Sequence, residues 1–249
     1  MTSALRRRLA AGEVAVGVSF TSGNVHAAEM AAHADLDYVY FDQQHGLISL
    51  DTLIASLRAM QGTLVTPLVR VLRNDAGLIG QALDAGAEGV IVPMVNSVED
   101  ASAAARASRY QPDGIRSWGP TRATFGLGTD PGPVNDAVLC FVMVETRTGV
   151  EHVDEIVGTP GIDGVYVGPA DLAVSMGLPP QVALQDGEHT DAVDAIIAAC
   201  TMAGKACAIS GNPSVMGKRG FRMVTAGSDT GFMRAGLDRA VALRRELTS

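Results

Sequence analysis

Phe141-Val142-Met143-Val144-Glu145 and Gly164-Val165-Tyr166-Val167-Gly168-Pro169-Ala170-Asp171 decide the fold. Each is a short apolar run that leads to a carboxylate, and the two lie about one strand–helix unit apart. Runs that are apolar at every residue suit strands buried on both faces. Two acids at the same end of neighbouring parallel strands point into one mouth. Such a pair can hold a hard divalent cation and leave most of its coordination sphere open to substrate. The alternatives are two separate ion pairs, or Asp171 as the N-cap of a short helix that follows it.

The same pattern recurs outward in both directions. Strands are expected at Val14–Phe20, Tyr38–Asp42, Pro67–Val71, Gly89–Met94, Phe141–Glu145, Gly164–Gly168, Cys207–Ser210 and Met223–Gly227. Segments with helical spacing lie between them: Val25–Ala34, Leu50–Gln61, Ala76–Ala85, Val98–Ser108, Thr190–Ala203 and Thr230–Leu247. Alternation of this kind predicts a parallel sheet. Eight strands in a chain of 249 residues match a closed (β/α)8 TIM barrel. An open doubly wound sheet would need a nucleotide fingerprint, and none is present. No Pro/Gly/Ser linker divides the chain, so residues 1–249 read as a single barrel domain. The one long irregular stretch, Gln111 to Asn135, is expected to form part of the active-site rim. Its Trp118, the only tryptophan, either walls the pocket or packs the loop onto the barrel.

Composition narrows the partners. The chain is 47% hydrophobic and 18% charged, with a formal charge of −8, and has no basic patch suited to nucleic acid or an anionic membrane. Mean hydropathy is +0.19, yet no apolar run approaches the roughly 20 residues a membrane span needs. The basic start, Arg6-Arg7-Arg8, lacks the apolar stretch of a signal peptide and reads as a short amphipathic helix. Cys140, Cys200 and Cys207 are odd in number and lie in apolar surroundings, as reduced packing residues do. Together these predict a cytoplasmic protein.

Polar residues at strand C-termini face the site in such a barrel. His45, in the turn Asp42-Gln43-Gln44-His45-Gly46, is the one of five histidines just past a strand end. It is either a general base or a turn histidine bonded to backbone. Arg70 closes Pro67-Leu68-Val69-Arg70, where a guanidinium calls for an anion, whether ligand or structural ion-pair partner. Asp84, near the end of the third helix, reads as a capping or surface acid. Gly168 permits close approach, and the amides of Ala170 and Asp171 open a helix whose N-terminus attracts a carboxylate. Gly227-Ser228-Asp229-Thr230 has the shape of a phosphate-binding turn, but with no basic neighbour it reads as a helix N-cap.

Lysine usage separates two mechanisms. The only two lysines are Lys205, before strand seven, and Lys218, in the helix after it. A Schiff-base enzyme needs a lysine inside the mouth, so carbonyl chemistry here would be metal-assisted. A 2-oxoacid could bind the cation through its carboxylate and ketone oxygens, with Arg70 neutralising charge on the enolate oxygen.

Several segments together resemble the HpcH/HpaI family of class II (metal-dependent) 2-oxoacid aldolases along nearly the whole chain. They are Asp42 to Gly46, Pro67 to Arg70 with Asn74-Asp75, Val92-Pro93-Met94-Val95, Gly114-Ile115-Arg116, Val144-Glu145-Thr146-Arg147 and Gly164 to Leu172. The resemblance implies a (β/α)8 barrel with its last helix swapped between subunits, assembled as a hexamer (a trimer of dimers). It implies that Glu145 and Asp171 ligate a divalent metal, Mg2+ or Mn2+ with Co2+ as a further candidate. It makes His45 the acid/base, Arg70 the transition-state stabiliser and a substrate contact, and Asp84 the acid that raises the histidine's basicity. Gly168, Pro169 and Ala170 then bind the oxoacid through backbone. The implied activity is aldol cleavage or condensation of hydroxy-2-oxoacids, giving pyruvate or hydroxypyruvate and an aldehyde through a metal-stabilised enolate. Two readings stand beside it, a CoA-ester lyase of the same superfamily and a non-catalytic oxoacid-binding barrel. Two positions depart from the family pattern: Gln44 stands where a glutamate precedes the histidine, and Met143 where a glutamine contacts substrate.

Overall fold

The computed structural model describes residues 3–181 and 183–247. Eight parallel strands close into a barrel in sequence order. In chain order the elements are α1 (Ala4–Ala10), β1 (Ala15–Phe20), α2 (Val25–Ala32), β2 (Tyr38–Asp42), α3 (Leu50–Ala59), β3 (Thr66–Arg70), α4 (Ala76–Asp84), β4 (Gly89–Val92), α5 (Val98–Ala107), α6 (Pro131–Ala137) and β5 (Leu139–Val144). There follow α7 (Arg147–Glu151), α8 (Val153–Gly158), β6 (Gly164–Val167), α9 (Pro169–Ser175), α10 (Glu188–Met202), β7 (Ala206–Ser210), α11 (Pro213–Arg219), β8 (Met223–Ser228) and α12 (Asp229–Glu246). All eight expected strands form, Tyr38–Asp42 with its expected ends and the others with ends shifted by no more than two residues.

Strand alternation sorts the apolar residues into two cores. Val18, Phe41, Val69, Val90, Val142, Val165 and Ile209 point outward and pack under the helices. Tyr38, Tyr40, Leu68, Ile91, Phe141, Met143 and Tyr166 point inward and fill the barrel, so it is a packed core and not a pore. The N-terminal helix α1 plugs the bottom. Its Leu5 is fully buried in the inner cluster, and the Leu5 N–H donates to Thr66 Oγ1 at 3.2 Å. Burying one such leucine contributes about 1.5–3 kcal/mol.

Turn chemistry starts the helices at the mouth. Asn24, Ser49, Asp75, Ser97, Thr146, Asn212 and Ser228 each cap the helix that follows, accepting a backbone N–H from its first turn. A cap of this sort contributes about 1 kcal/mol. Ser228 thus bears out the N-cap reading of the Gly227–Thr230 turn. Helix α9 differs: its N-cap is Gly168, which offers no side-chain acceptor.

The Gln111–Asn135 segment departs from expectation. It follows α5 and returns to the start of β5, which places it towards the N-terminal end of the strands. It is also partly regular, with a 3-10 turn at Ala123–Phe125 and α6 from Pro131. Arg122 N–H donates to Asp84 O and Arg122 Nε to Ala85 O, which ties the loop to the far end of α4. Trp118 is 62% exposed and donates to Thr129 O within the same loop, so it does not wall the mouth of its own barrel. Among the described residues no helix is long and apolar enough to cross a membrane.

Candidate active site at the barrel mouth

The inward positions at the C-terminal ends of the strands are Ser19, Asp42, Arg70, Glu145, Gly168 and Ser210. Glu145, the residue after β5, is 1% exposed. Its Oε1 accepts the Met94 N–H at 2.7 Å, while Oε2 is buried with no partner among the described residues. Met94 makes that bond from a left-handed conformation (φ 56°), an uncommon state for a non-glycine residue. A network holds it there: Asn96 Nδ2 donates to Met94 O, Asn96 N–H to Asp100, and Thr146 Oγ1 to Asn96 Oδ1.

Gly168 is required by close approach, because an added Cβ would land on Glu145 Oε2. Asp171 follows in the first turn of α9. It is exposed, joins no ion pair among the described residues, and does not cap the helix. The N-cap and separate-ion-pair alternatives therefore both fail. Burial raises the Glu145 carboxyl above its usual range and the Asp171 charge raises it further, while the Met94 N–H and Arg70 oppose them. Two neighbouring carboxylates with an orphaned buried oxygen could hold a hard divalent cation. Among the described residues no group of three or more His, Cys, Asp or Glu lies close enough together for a metal.

Arg70 faces this pair. Its Nε donates to Asp42 Oδ1 at 2.9 Å and its Nη2 to Asp42 Oδ2 at 2.6 Å, a bidentate fork. Burial pulls the guanidinium pKa down, but Asp42 and the nearby Tyr40 and Tyr166 outweigh it and the net shift is upward. Among the described residues Nη1 meets only the Met143 sulfur, at 4.0 Å. Asp42 Oδ1 also accepts the Gln44 and His45 backbone N–H groups at 3.0 and 3.2 Å. One buried carboxylate thus orients the arginine and shapes the histidine turn. The sequence marked Asp42 only as a strand end, because its partner lies 28 positions away. The His45 ring itself is exposed and forms no bond among the described residues.

Beneath the mouth, hydroxyls form a chain: Tyr38 to Thr225 at 2.7 Å, Thr225 to Tyr166 at 2.8 Å, and Tyr166 to Ser210 at 2.8 Å. Burial raises both tyrosine pKa values well above 10, so these groups are neutral hydrogen-bonding floor.

Ala170 and Asp171 N–H groups at the start of α9 have no acceptor among the described residues, consistent with the missing side-chain cap. The Pro169 carbonyl is held by His189, which lies in the first turn of α10 and carries no local signal of this contact. Asp84 is placed elsewhere. It ends α4, about 13 Å of helix back from the mouth and shortly before β4 begins, and its Oδ1 binds Arg116 Nη2 at 2.5 Å. Within one chain the structure does not bring Asp84 to His45. The lysines behave as expected: Lys205 Nζ donates to Thr159 O before β7, and Lys218 lies in α11.

The HpcH/HpaI aldolase/citrate lyase family model matches residues 17–235. The chain is 36% identical over 230 residues to a hydroxypyruvate/pyruvate aldolase of Rhizorhabdus wittichii, covering 90% of this chain and 91% of the relative. It is 31% identical over 251 residues to a 2-keto-3-deoxy-L-rhamnonate aldolase of Escherichia coli, covering 98% and 93%. A solved HpcH/HpaI aldolase/citrate lyase family protein from Burkholderia cenocepacia superposes with a TM-score of 0.88 at 30% identity, covering 98% of this chain and 100% of that one. On sequence, fold and the contents of its mouth, the chain belongs to the HpcH/HpaI aldolase/citrate lyase family of carbon–carbon lyases.

Proposed function

We propose that this lyase cleaves and forms hydroxy-2-oxoacids, releasing or consuming pyruvate or hydroxypyruvate and an aldehyde, with a divalent cation such as Mg2+ or Mn2+. The observation that carries the reading is the buried, partnerless Glu145 Oε2 beside Asp171, facing Nη1 of Arg70. The relatives' activities, as hydroxypyruvate/pyruvate and keto-deoxy aldolases, support the same substrate class. When bound by Glu145 and Asp171, the cation supplies Lewis-acid polarisation of the 2-keto oxygen.

The residues do the remainder. The free N–H groups of Ala170 and Asp171 take the oxoacid carboxylate, with Gly168 and Pro169 shaping the turn that presents them. In cleavage His45 accepts the proton of the C4 hydroxyl. The C3–C4 bond then breaks, the aldehyde leaves, and the bonding pair moves onto the oxoacid as an enolate. Arg70 Nη1 donates to the enolate oxygen, and the proton is returned to C3. Condensation runs the same steps backwards.

Helix α12 supports a homo-oligomer. None of its residues is buried, and Phe232, Met233, Leu237, Val241 and Leu243 are about half exposed or more. An apolar stripe of this kind suits packing against another copy, in a swapped hexamer. Asp84, remote from His45 of its own chain, would then act on the histidine of a second copy. The three cysteines are buried and free, which supports a cytoplasmic setting.

The test is to incubate the protein with pyruvate or hydroxypyruvate and a panel of aldehydes, with Mg2+ or Mn2+ and then with EDTA. Aldol product that vanishes on chelation, and a His45→Gln variant that binds Mn2+ but does not turn over, are the expected results. No carbon–carbon bond chemistry under any condition would sink the proposal.

A further inference from the structure

Helix α10 begins with two residues that reach both acid-bearing segments. Glu188 takes the guanidinium of Arg147 through both carboxylate oxygens, and Arg147 lies two positions after Glu145. His189 reaches Pro169, two positions before Asp171: its Nε2 is 2.9 Å from Pro169 O. The His189 ring is wholly buried, and its other nitrogen has a defined role. The Gln185 N–H donates to Nδ1 at 3.0 Å, so Nδ1 carries no hydrogen, Nε2 carries it, and Nε2 is the donor to Pro169 O. Both ring nitrogens are therefore spent, one on the loop before α10 and one on the turn that opens α9.

That turn tolerates little movement. Gly168 lies against Glu145 Oε2 so closely that no side chain fits, and Asp171 follows directly in the same turn. Pinning the Pro169 carbonyl from behind fixes the plane of the Pro169–Ala170 peptide. It thereby constrains the turn that carries Asp171. Arg147 is held from the other side as well, its N–H donating to Ser175 Oγ at the end of α9.

We infer that His189 is a positioning residue for the carboxylate pair, with Glu188 as its weaker companion: the first turn of α10 is a clamp that sets the Glu145–Asp171 separation a divalent cation requires. The ranking follows from burial. The His189 bond is shielded from water, whereas the Glu188–Arg147 pair is exposed and screened by salt. Residues that orient metal ligands typically change affinity about 10–100-fold when removed. This inference rests on the cation-dependent reading of the mouth.

The test is Mn2+ binding by calorimetry to the full-length wild type, His189→Ala, His189→Gln and Glu188→Ala, with thermal melts and circular dichroism as fold controls. His189→Ala is expected to weaken Mn2+ binding about tenfold or more. His189→Gln, whose side-chain amide can donate to the same carbonyl, should recover most of the loss. Glu188→Ala should show a smaller loss that disappears at high salt. Unchanged Mn2+ affinity in folded His189→Ala, or a His189→Gln as weak as the alanine variant, overturns the clamp while leaving the proposed function standing. If His189→Ala does not fold, the Gln variant decides alone: wild-type affinity supports the donor role, and a tenfold loss in a folded protein refutes it. A wild type that binds no Mn2+ overturns the proposed function, and the clamp with it.

Discussion

Replacing Asp42 by asparagine tests the central electrostatic contact of the mouth. Asp42→Asn keeps the side chain's shape and one oxygen, so the Gln44 and His45 N–H groups retain their acceptor. It removes the charge and turns an NH2 group towards Arg70 Nη2, where Asp42 Oδ2 now lies at 2.6 Å. Asp42 is 2% exposed in its side chain and Arg70 16%, so the pair is largely, but not wholly, out of water. Breaking one partner of a buried pair costs about 3–5 kcal/mol, and the partial access of Arg70 favours the lower end. At about 2–4 °C per kcal/mol for a chain of this size, the melting temperature should fall by about 6–12 °C. Arg70 also loses the fork that, in the proposed mechanism, would aim Nη1 at the enolate oxygen, and a lost donor of that kind costs about 10²–10³ in rate. The assays are thermal unfolding and steady-state aldol cleavage with the liberated oxoacid measured by a coupled dehydrogenase. A variant that melts within about 2 °C of wild type and turns over within about threefold would refute the reasoning.

Gly168→Ala should place a methyl against Glu145 Oε2 and weaken Mn2+ binding about tenfold or more, with retained fold; unchanged affinity in a titration would contradict the close approach. Glu145 gives a pH signature in the cation-free protein. Burial first, and the Asp171 charge second, raise its folded pKa above 4.5. The native state then binds the proton more tightly than the unfolded state, so the Glu145 contribution to stability falls as pH rises through that window. Lowering the pH from neutrality towards the ordinary carboxylate range should therefore stabilise wild type relative to Glu145→Gln, and parallel stability–pH curves for the two would argue against it. Tyr166→Phe removes the hydroxyl that joins Thr225 to Ser210 and should cost about 1–3 kcal/mol, read in denaturant unfolding; no loss would mean the chain of hydroxyls carries no stability.

Local pattern carried much of this protein. Apolar runs such as Phe141–Val144 and Gly164–Val167 specify strands buried on both faces, and their alternation with helical segments leaves few closed topologies. Glu145, Asp171, Arg70 and His45 were legible because the strand's direction alone decides which end of the barrel a terminal residue meets. The N-caps Ser49, Asp75 and Ser97 were equally local.

Contacts between remote segments could not be read this way. Asp42 meets Arg70 because β2 and β3 pair in a register that sets the two opposite each other. Met94 adopts its left-handed conformation to serve a carboxylate 51 positions later. His189 looks like an ordinary helix residue until α10 packs against the opening of α9, where its buried ring finds Pro169. Length and composition suit the Gln111–Asn135 loop to the mouth, whereas chain direction puts it towards the other end. Sequence by itself determined the barrel and the charged residues at its rim, since both follow from periodicity along one strand. Tertiary structure decided which of those residues share a bond, because orientation and burial arise only when distant segments pack.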